Sequence, residues 1–235
     1  MFVNSAEIYD AIYSFKDYAA EARVVQERIA AHRRSSGRAL LDAACGTGKH
    51  AEFLRDDYDL TLLDLDAGLL AIAAERLPEA RIVQADMSDF DLDQQFDAIT
   101  CLFSAIGYVG SVERLNATLA AFARHLKPGG VVLVEAWFMS EQFHPGGVHA
   151  RFVDEPNLKI SRMNVSRVEG QMSILDFHYM VGTPEGIATF TEHHELMMFT
   201  DAQYQDAFRA AGLTVEVDPE GLTGRALYIG TKALA

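Results

Sequence analysis

Apolar runs that end in an acid recur through the first half of the chain. They are Ala39-Leu40-Leu41-Asp42, Leu60-Thr61-Leu62-Leu63-Asp64, Ala80-Arg81-Ile82-Val83-Gln84-Ala85-Asp86 and Val131-Val132-Leu133-Val134-Glu135, with residues 96–103 as a further apolar run before the last. Runs of this length read as strands buried on both faces. Helical segments separate them, and that alternation predicts an α/β fold with a doubly wound, mostly parallel sheet. Upstream, Ala6-Glu7-Ile8-Tyr9-Asp10-Ala11-Ile12-Tyr13 spaces its apolar residues as a helix does. A second helix is expected over residues 18–31, after a break near Ser14-Phe15.

Downstream the period changes to two. Residues 158–168, 172–181 and 186–199 alternate polar and apolar positions, with turn signals at Glu169-Gly170 and Thr183-Pro184-Glu185-Gly186. They predict an antiparallel β platform inserted after the fifth strand. Thr200-Asp201 caps a helix over 202–211 that Gly212 stops. Residues 213–217 and 226–231 give two closing strands, the last antiparallel, so the sheet is expected to hold seven. One domain over residues 1–235 results: a helical lid at 1–34, a core at 38–135, the insertion at 136–199 and closing elements at 200–232.

The turn after the first strand, Asp42-Ala43-Ala44-Cys45-Gly46-Thr47-Gly48, carries the chemistry. Ligands of open α/β sheets bind at this edge, outside the carboxyl ends of the strands. A P-loop reading fails twice, because Ala43 stands where its first glycine belongs and His50 where its magnesium-holding hydroxyl belongs. A dinucleotide fingerprint fits as Gly46-x-Gly48-x-x-Ala51. A loop for S-adenosylmethionine (SAM) fits as well, and it also uses Asp42, whose carboxylate can receive the ammonium of the methionine tail. Asp64 can accept both ribose hydroxyls, which serves SAM and NAD alike. Asp86 can take an adenine amino group, with Met87 packed on the ring.

Composition narrows the classes. The net charge of −14 argues against general affinity for nucleic acid or an anionic membrane surface. Cys45 and Cys101 lie in apolar or glycine-turn contexts with no metal spacing, which points to a reducing cytoplasm. Met1-Phe2-Val3-Asn4 lacks the basic start and apolar run of a secretory leader, and no apolar stretch approaches bilayer length.

The blocks over residues 38 to 135, in this order and spacing, resemble the class I SAM-dependent methyltransferases with their Rossmann-like fold. The resemblance implies SAM as cofactor, held by Asp42, Ala44, Gly46, Gly48, Asp64, Leu65, Asp86, Met87 and Leu102. It also implies contacts from Tyr9 and Tyr18, in Tyr9-Asp10 and Lys16-Asp17-Tyr18 of a lid that includes Tyr13 and Phe15. Ala44 departs from the glycine usual there, and as the smallest replacement it is expected to be tolerated if that residue keeps φ below zero. Further blocks extend the likeness nearly end to end: Phe103-Ser104-Ala105-Ile106-Gly107-Tyr108, Glu135-Ala136-Trp137-Phe138, Phe190-Thr191-Glu192-His193-His194-Glu195, Phe199-Thr200-x-x-Gln203-Tyr204 and Thr223-Gly224-Arg225. These are similar to the N-methyltransferases that dimethylate dTDP-linked 3-amino-deoxysugars in macrolide antibiotic pathways. Two departures stand out: a short segment between Tyr13 and Lys16, and Phe2 where an aromatic hydroxyl would serve a phosphate.

Methyl transfer is an in-line displacement on a sulfonium, so positioning supplies most of the rate. Tyr108 and His178 are the candidates for orienting or deprotonating an amine, each weighed against a structural role. Trp137, Phe138 and Met139 follow the fifth strand tip and are candidate substrate contacts. Arg225 can fork onto the phosphates of a sugar nucleotide or form an ordinary ion pair. Glu192-His193-His194-Glu195 invites a metal reading, but neighbours on a strand point to opposite faces, so no metal is expected. A methyltransferase for another amine or hydroxyl, a non-catalytic SAM-binding protein and an NAD oxidoreductase are the alternatives, and a homodimer is a candidate assembly. SAM at a hundredfold its Kd should stabilise the protein by about 2.7 kcal/mol and raise its Tm, with no effect of NAD. A Tm that rises with NAD and not with SAM would reverse the assignment.

Overall fold

In the computed structural model, which describes residues 6–234, the acid-tipped runs form β1 (Ala39–Ala43), β2 (Asp59–Asp64), β3 (Arg81–Gln84), β4 (Phe96–Cys101) and β5 (Leu126–Glu135). Phe2 lies outside the described residues. A 3₁₀ turn over Ala6–Ile8 leads into α1 (Tyr9–Ile12), and α2 (Tyr18–His32) follows the break. The remaining helices are α3 (Lys49–Glu52), α4 (Ala67–Arg76), α5 (Val112–His125) and α6 (Asp201–Ala210). Short polar side chains start several of them: Asp17 accepts from the Ala20 amide at 2.9 Å, and Thr200 and Gln203 form a capping box on α6.

With β10 (Leu213–Asp218) and β11 (Leu227–Lys232), the main sheet has the order β10-β11-β5-β4-β1-β2-β3. Strand β11 runs antiparallel to both neighbours, and the other pairings are parallel. Strand order reverses between β1 and β4, the switch point at which such sheets bind ligands. Alternation along each strand feeds two cores. Leu41, Ile99 and Val132 pack with Phe122 of α5 and Phe208 of α6, while Leu40, Leu62 and Leu133 pack with Val25 and Ile29 of α2.

The insertion is a four-stranded antiparallel meander, β6 (Val148–Glu155), β7 (Leu158–Glu169), β8 (Met172–Thr183) and β9 (Gly186–Met197). The sequence pattern predicts three of these strands and misses β6. That strand is the sheet edge and is almost wholly exposed, so it carries no buried-face alternation to detect. Among the described residues no helix is long and apolar enough to cross a membrane.

Gly230 marks a close approach of sheet to helix. A Cβ there would stand 2.6 Å from the Phe208 ring and 2.9 Å from Val132 Cγ1. Gly230→Ala should therefore cost about 1–3 kcal/mol through overpacking, read as a lower urea midpoint at unchanged m value. An unchanged midpoint would show that the ring yields freely.

Candidate active site

Strand β1 delivers Asp42 to the switch point, where it is 3% exposed. Its register partner on β4, Thr100, donates Oγ1 to Asp42 Oδ1 at 2.8 Å. Burial pushes this carboxyl up to about 6, against the opposing effects of the His50 charge and the Thr100 hydrogen bond. The chain then turns back through Ala44 (φ 55°), Gly46 (φ 58°) and Gly48 (φ 75°). Ala44 thus adopts the left-handed conformation that the sequence reading did not expect, at a cost of about 1–2 kcal/mol. Two bonds to β2 and its tip offset that strain: Cys45 N donates to Leu63 O at 3.0 Å and Gly46 N to Asp64 Oδ2 at 2.8 Å. A Cβ on Gly46 would meet nothing within 4 Å, so the turn faces open space there.

The other acids differ in their partners. Asp64 Oδ1 accepts from Asp66 N at 2.9 Å, and burial raises its pKa despite these backbone bonds. Asp86 Oδ1 accepts from the Ser88 amide and hydroxyl, and its Oδ2 pairs with Arg114 Nη2 at 2.7 Å. Burial acts to raise the Asp86 pKa, but Arg114 and Ser88 outweigh it and hold it below the usual range.

The N-terminal segment crosses this edge. Asp10 of α1 accepts from Thr47 Oγ1 at 2.6 Å and pairs with Arg76. Beneath it, Glu21 binds Lys16 at 2.8 Å and His50 at 2.7 Å. The open cavity, whose empty space together with the solvent at its mouth comes to about 1330 Å³, is lined on one side by Asp42, Asp64, Asp86, Leu65 and Met87. Tyr9, Tyr13 and Tyr18 cover it, and Phe103, Tyr108, Trp137, Leu175, Phe177 and Leu196 form the remaining wall. Tyr18 Oη is buried with no hydrogen-bond partner among the described residues, and Asp42 has a neutral hydroxyl as its bonded partner. A ligand with an ammonium and a carboxylate fits both, and the methionine tail of SAM has them.

Of the residues singled out from sequence, Tyr9, Tyr18, Asp42, Ala44, Gly46, Asp64, Leu65, Asp86, Met87, Leu102, Tyr108 and Trp137 line this cavity. Gly48 does not; it starts α3 and packs towards Leu77. His178 lies off this cavity as well. Leu175, Phe177, Tyr179 and Val181 take the inner face of β8, so His178 points outward, bonded to Thr191 Oγ1 at 3.1 Å. Phe138 and Met139 also lie off the cavity, Phe138 meeting Trp137 edge to face and Phe143 at a tilt. Arg225 is an internal ion pair: its Nη2 meets buried Glu135 Oε1 at 3.2 Å, and its guanidinium lies over Phe103, Trp137 and Phe138 at 5.5–5.8 Å. Glu135 further accepts from Phe103 N and Thr223 Oγ1. Phe177 and Leu196 escaped the sequence reading, although the period-two pattern marks both as inward. His193 and His194 face opposite ways as expected, and no metal-binding group of His, Cys, Asp and Glu occurs among the described residues.

Comparison with known proteins agrees with this geometry. A family model described as a methyltransferase domain matches residues 40–130. The chain is 40% identical, over 98% of its length and 99% of the relative's, to the dTDP-3-amino-3,4,6-trideoxy-alpha-D-glucopyranose N,N-dimethyltransferase of Streptomyces venezuelae. The crystal structure of S. venezuelae DesVI superposes with a TM-score of 0.92 at 39% identity, covering 98% of this chain and 99% of that one. SAM-bound CalS10, an amino pentose methyltransferase from Micromonospora echinaspora, superposes with a TM-score of 0.86 at 38% identity, covering 96% and 97%. The chain belongs to the SAM-dependent methyltransferases, and within them to the family of the dTDP-amino-sugar N,N-dimethyltransferases.

Proposed function

We propose that this enzyme methylates the amine of a dTDP-linked 3-amino-deoxysugar, giving N-methyl and N,N-dimethyl products. One observation carries the reading: a single cavity joins the acid-tipped strands of the sheet to an aromatic wall shared with the β platform. The relative named above acts on such a sugar, and its full-length identity supports the assignment. When bound, SAM supplies a methyl group on a sulfonium. The protein's part is to bind, orient and exclude water. Asp42 receives an ammonium; Asp64 accepts ribose hydroxyls; Asp86 accepts an adenine amino group beside Met87. Tyr9 and Tyr18 close over the cofactor, with Ala44, Gly46, Leu65 and Leu102 in contact. Tyr108 and Trp137 face the acceptor. Arg225 serves the substrate side by fixing Glu135 and packing over Phe103 and Trp137 of the aromatic wall.

Two wider properties belong to the same reading. The outer face of the platform exposes Val148, Phe152, Met163, Val165, Met180 and Ile187, and a second copy of the chain suits that apolar face. Cys45 and Cys101 are free thiols, which supports a reducing compartment, the cytoplasm.

Purified enzyme given SAM and a dTDP-3-amino-deoxysugar should add one and then two methyl groups, read by mass spectrometry. No mass gain on any dTDP-amino sugar would overturn the proposed acceptor. Asp42 gives a second expectation, because its folded pKa lies above its unfolded value. Stability from the protonated form is complete below the unfolded pKa and is lost as pH rises through about 6. Asp42→Asn, which stays neutral, should therefore stabilise the cofactor-free protein by roughly 2 kcal/mol at high pH and little at low pH. SAM affinity should fall at least about tenfold in the same variant. Urea unfolding at two pH values and calorimetric titration measure both, and unchanged SAM affinity would remove Asp42 from cofactor binding.

A further inference from the structure

Strand β9 carries two buried titratable groups towards the acceptor side of the cavity. Its alternation puts Glu192 and His194 on the inner face, 4% and 1% exposed, while His193 and Glu195 lie outside. Tyr108, whose ring lines the cavity, has its hydroxyl 2.9 Å from His194 Nδ1. Glu192 Oε2 faces His194 Nε2 at 3.7 Å. A carboxylate on that side favours the tautomer with its proton on Nε2, which leaves Nδ1 to accept from the Tyr108 hydroxyl. The Phe177 ring, 5.1 Å from the imidazole, packs against the pair and limits its movement.

We propose that His194, backed by Glu192, is a positioning residue for Tyr108 and the sink for the proton that the acceptor amine must shed. The inference rests on the reading that the acceptor is an amine. An amine arriving as ammonium gives a proton to the Tyr108 oxygen as that oxygen passes its own to His194 Nδ1. One N–H and one O–H bond break, one O–H and one N–H form, and the amine regains its lone pair. Positive charge moves from the substrate to an imidazolium facing the Glu192 carboxylate. A phenolate never forms, which suits a hydroxyl that burial makes hard to ionise. The other titratable and charged groups around Tyr108 are Tyr9 and Tyr13 on the N-terminal segment, Arg162 on β7 and Tyr179 on β8. Arg162 is directed to the Tyr13 hydroxyl at 3.0 Å.

Two measurements on the full chain test the proposal. Nitrogen NMR of the histidines, with the enzyme saturated with S-adenosylhomocysteine, should show His194 as the neutral Nε2–H tautomer. An Nδ1–H tautomer overturns the relay whatever the acceptor proves to be. For turnover, His194→Asn keeps an acceptor oxygen near the Nδ1 position yet cannot carry a proton. Its kcat on the amino sugar should fall at least about tenfold, with KM for SAM changed less than about twofold and the acidic limb of the pH profile altered. Adding Tyr108→Phe should cause little further loss, since the two act as a unit. Wild-type-like kcat in His194→Asn, or losses that multiply in the double variant, overturns the proposal. If His194→Asn fails to bind SAM by calorimetry, Glu192→Gln decides: lowered kcat with intact SAM binding supports the relay, and unchanged kcat overturns it. A wild type that methylates no amine would instead overturn the acceptor reading, and the tautomer would still decide the placement of the His194 proton.

Discussion

The bond from Gly46 N to Asp64 Oδ2 holds the cofactor edge together. It ties the strained turn after β1 to the tip of β2, and a left-handed Ala44 sits inside the span it closes. One carboxylate thereby fixes the backbone that must approach a ligand, while retaining lone pairs for further donors. Asp42, on the neighbouring strand tip, is buried beside a neutral threonine hydroxyl and bears a desolvation penalty that this bond and the His50 charge offset only in part. The structure accepts that penalty at the position where a cation relieves it, a local cost in stability of the kind binding sites carry.

Three acids at one sheet edge therefore have three different characters. Asp86 is neutralised by Arg114, so it can accept from an uncharged amino group without further charge pairing. Asp64 is held by backbone amides and suits hydroxyls. Asp42 has no bonded cation and suits an ammonium. The proposed assignment of each to one part of SAM follows from these partners as much as from their order in the chain. Nearby cations such as Lys16 and Arg225 are bound to Glu21 and Glu135.

Much of this was legible in the sequence. The strand tips at Asp42, Asp64 and Asp86 were readable because buried parallel strands leave an uninterrupted apolar run that a terminal acid punctuates. The capped α6 was readable because Thr200 and Gln203 act locally. What failed required tertiary information. Strand β6 is an exposed edge and leaves no periodic trace. The φ of Ala44 depends on bonds to β2, which local sequence cannot supply. Arg225 was readable as a phosphate ligand or as half of an ion pair, and the buried Glu135 that it meets lies 90 residues away in the chain. His178 was avoidable: the apolar residues at 175, 177, 179 and 181 already put position 178 on the other face.

The inner face of the platform is apolar along β8, but part of β7 inverts the usual pattern of a sheet that covers a core. Strand β7 buries Arg162, Asn164 and Ser166 and exposes Met163 and Val165. Burying such groups costs several kcal/mol unless they are bonded. Here Arg162 bonds Tyr13 and lies over the Phe177 ring at 4.5 Å, and Tyr108 bonds His194. A core that needed only stability would place the methionine and valine inward. The exchange of faces is explained if the inner side must address a polar acceptor and the outer side meets another apolar surface. On β7 the period-two pattern thus sets Arg162, Asn164 and Ser166 on the buried side of the platform and Met163 and Val165 on its exposed side.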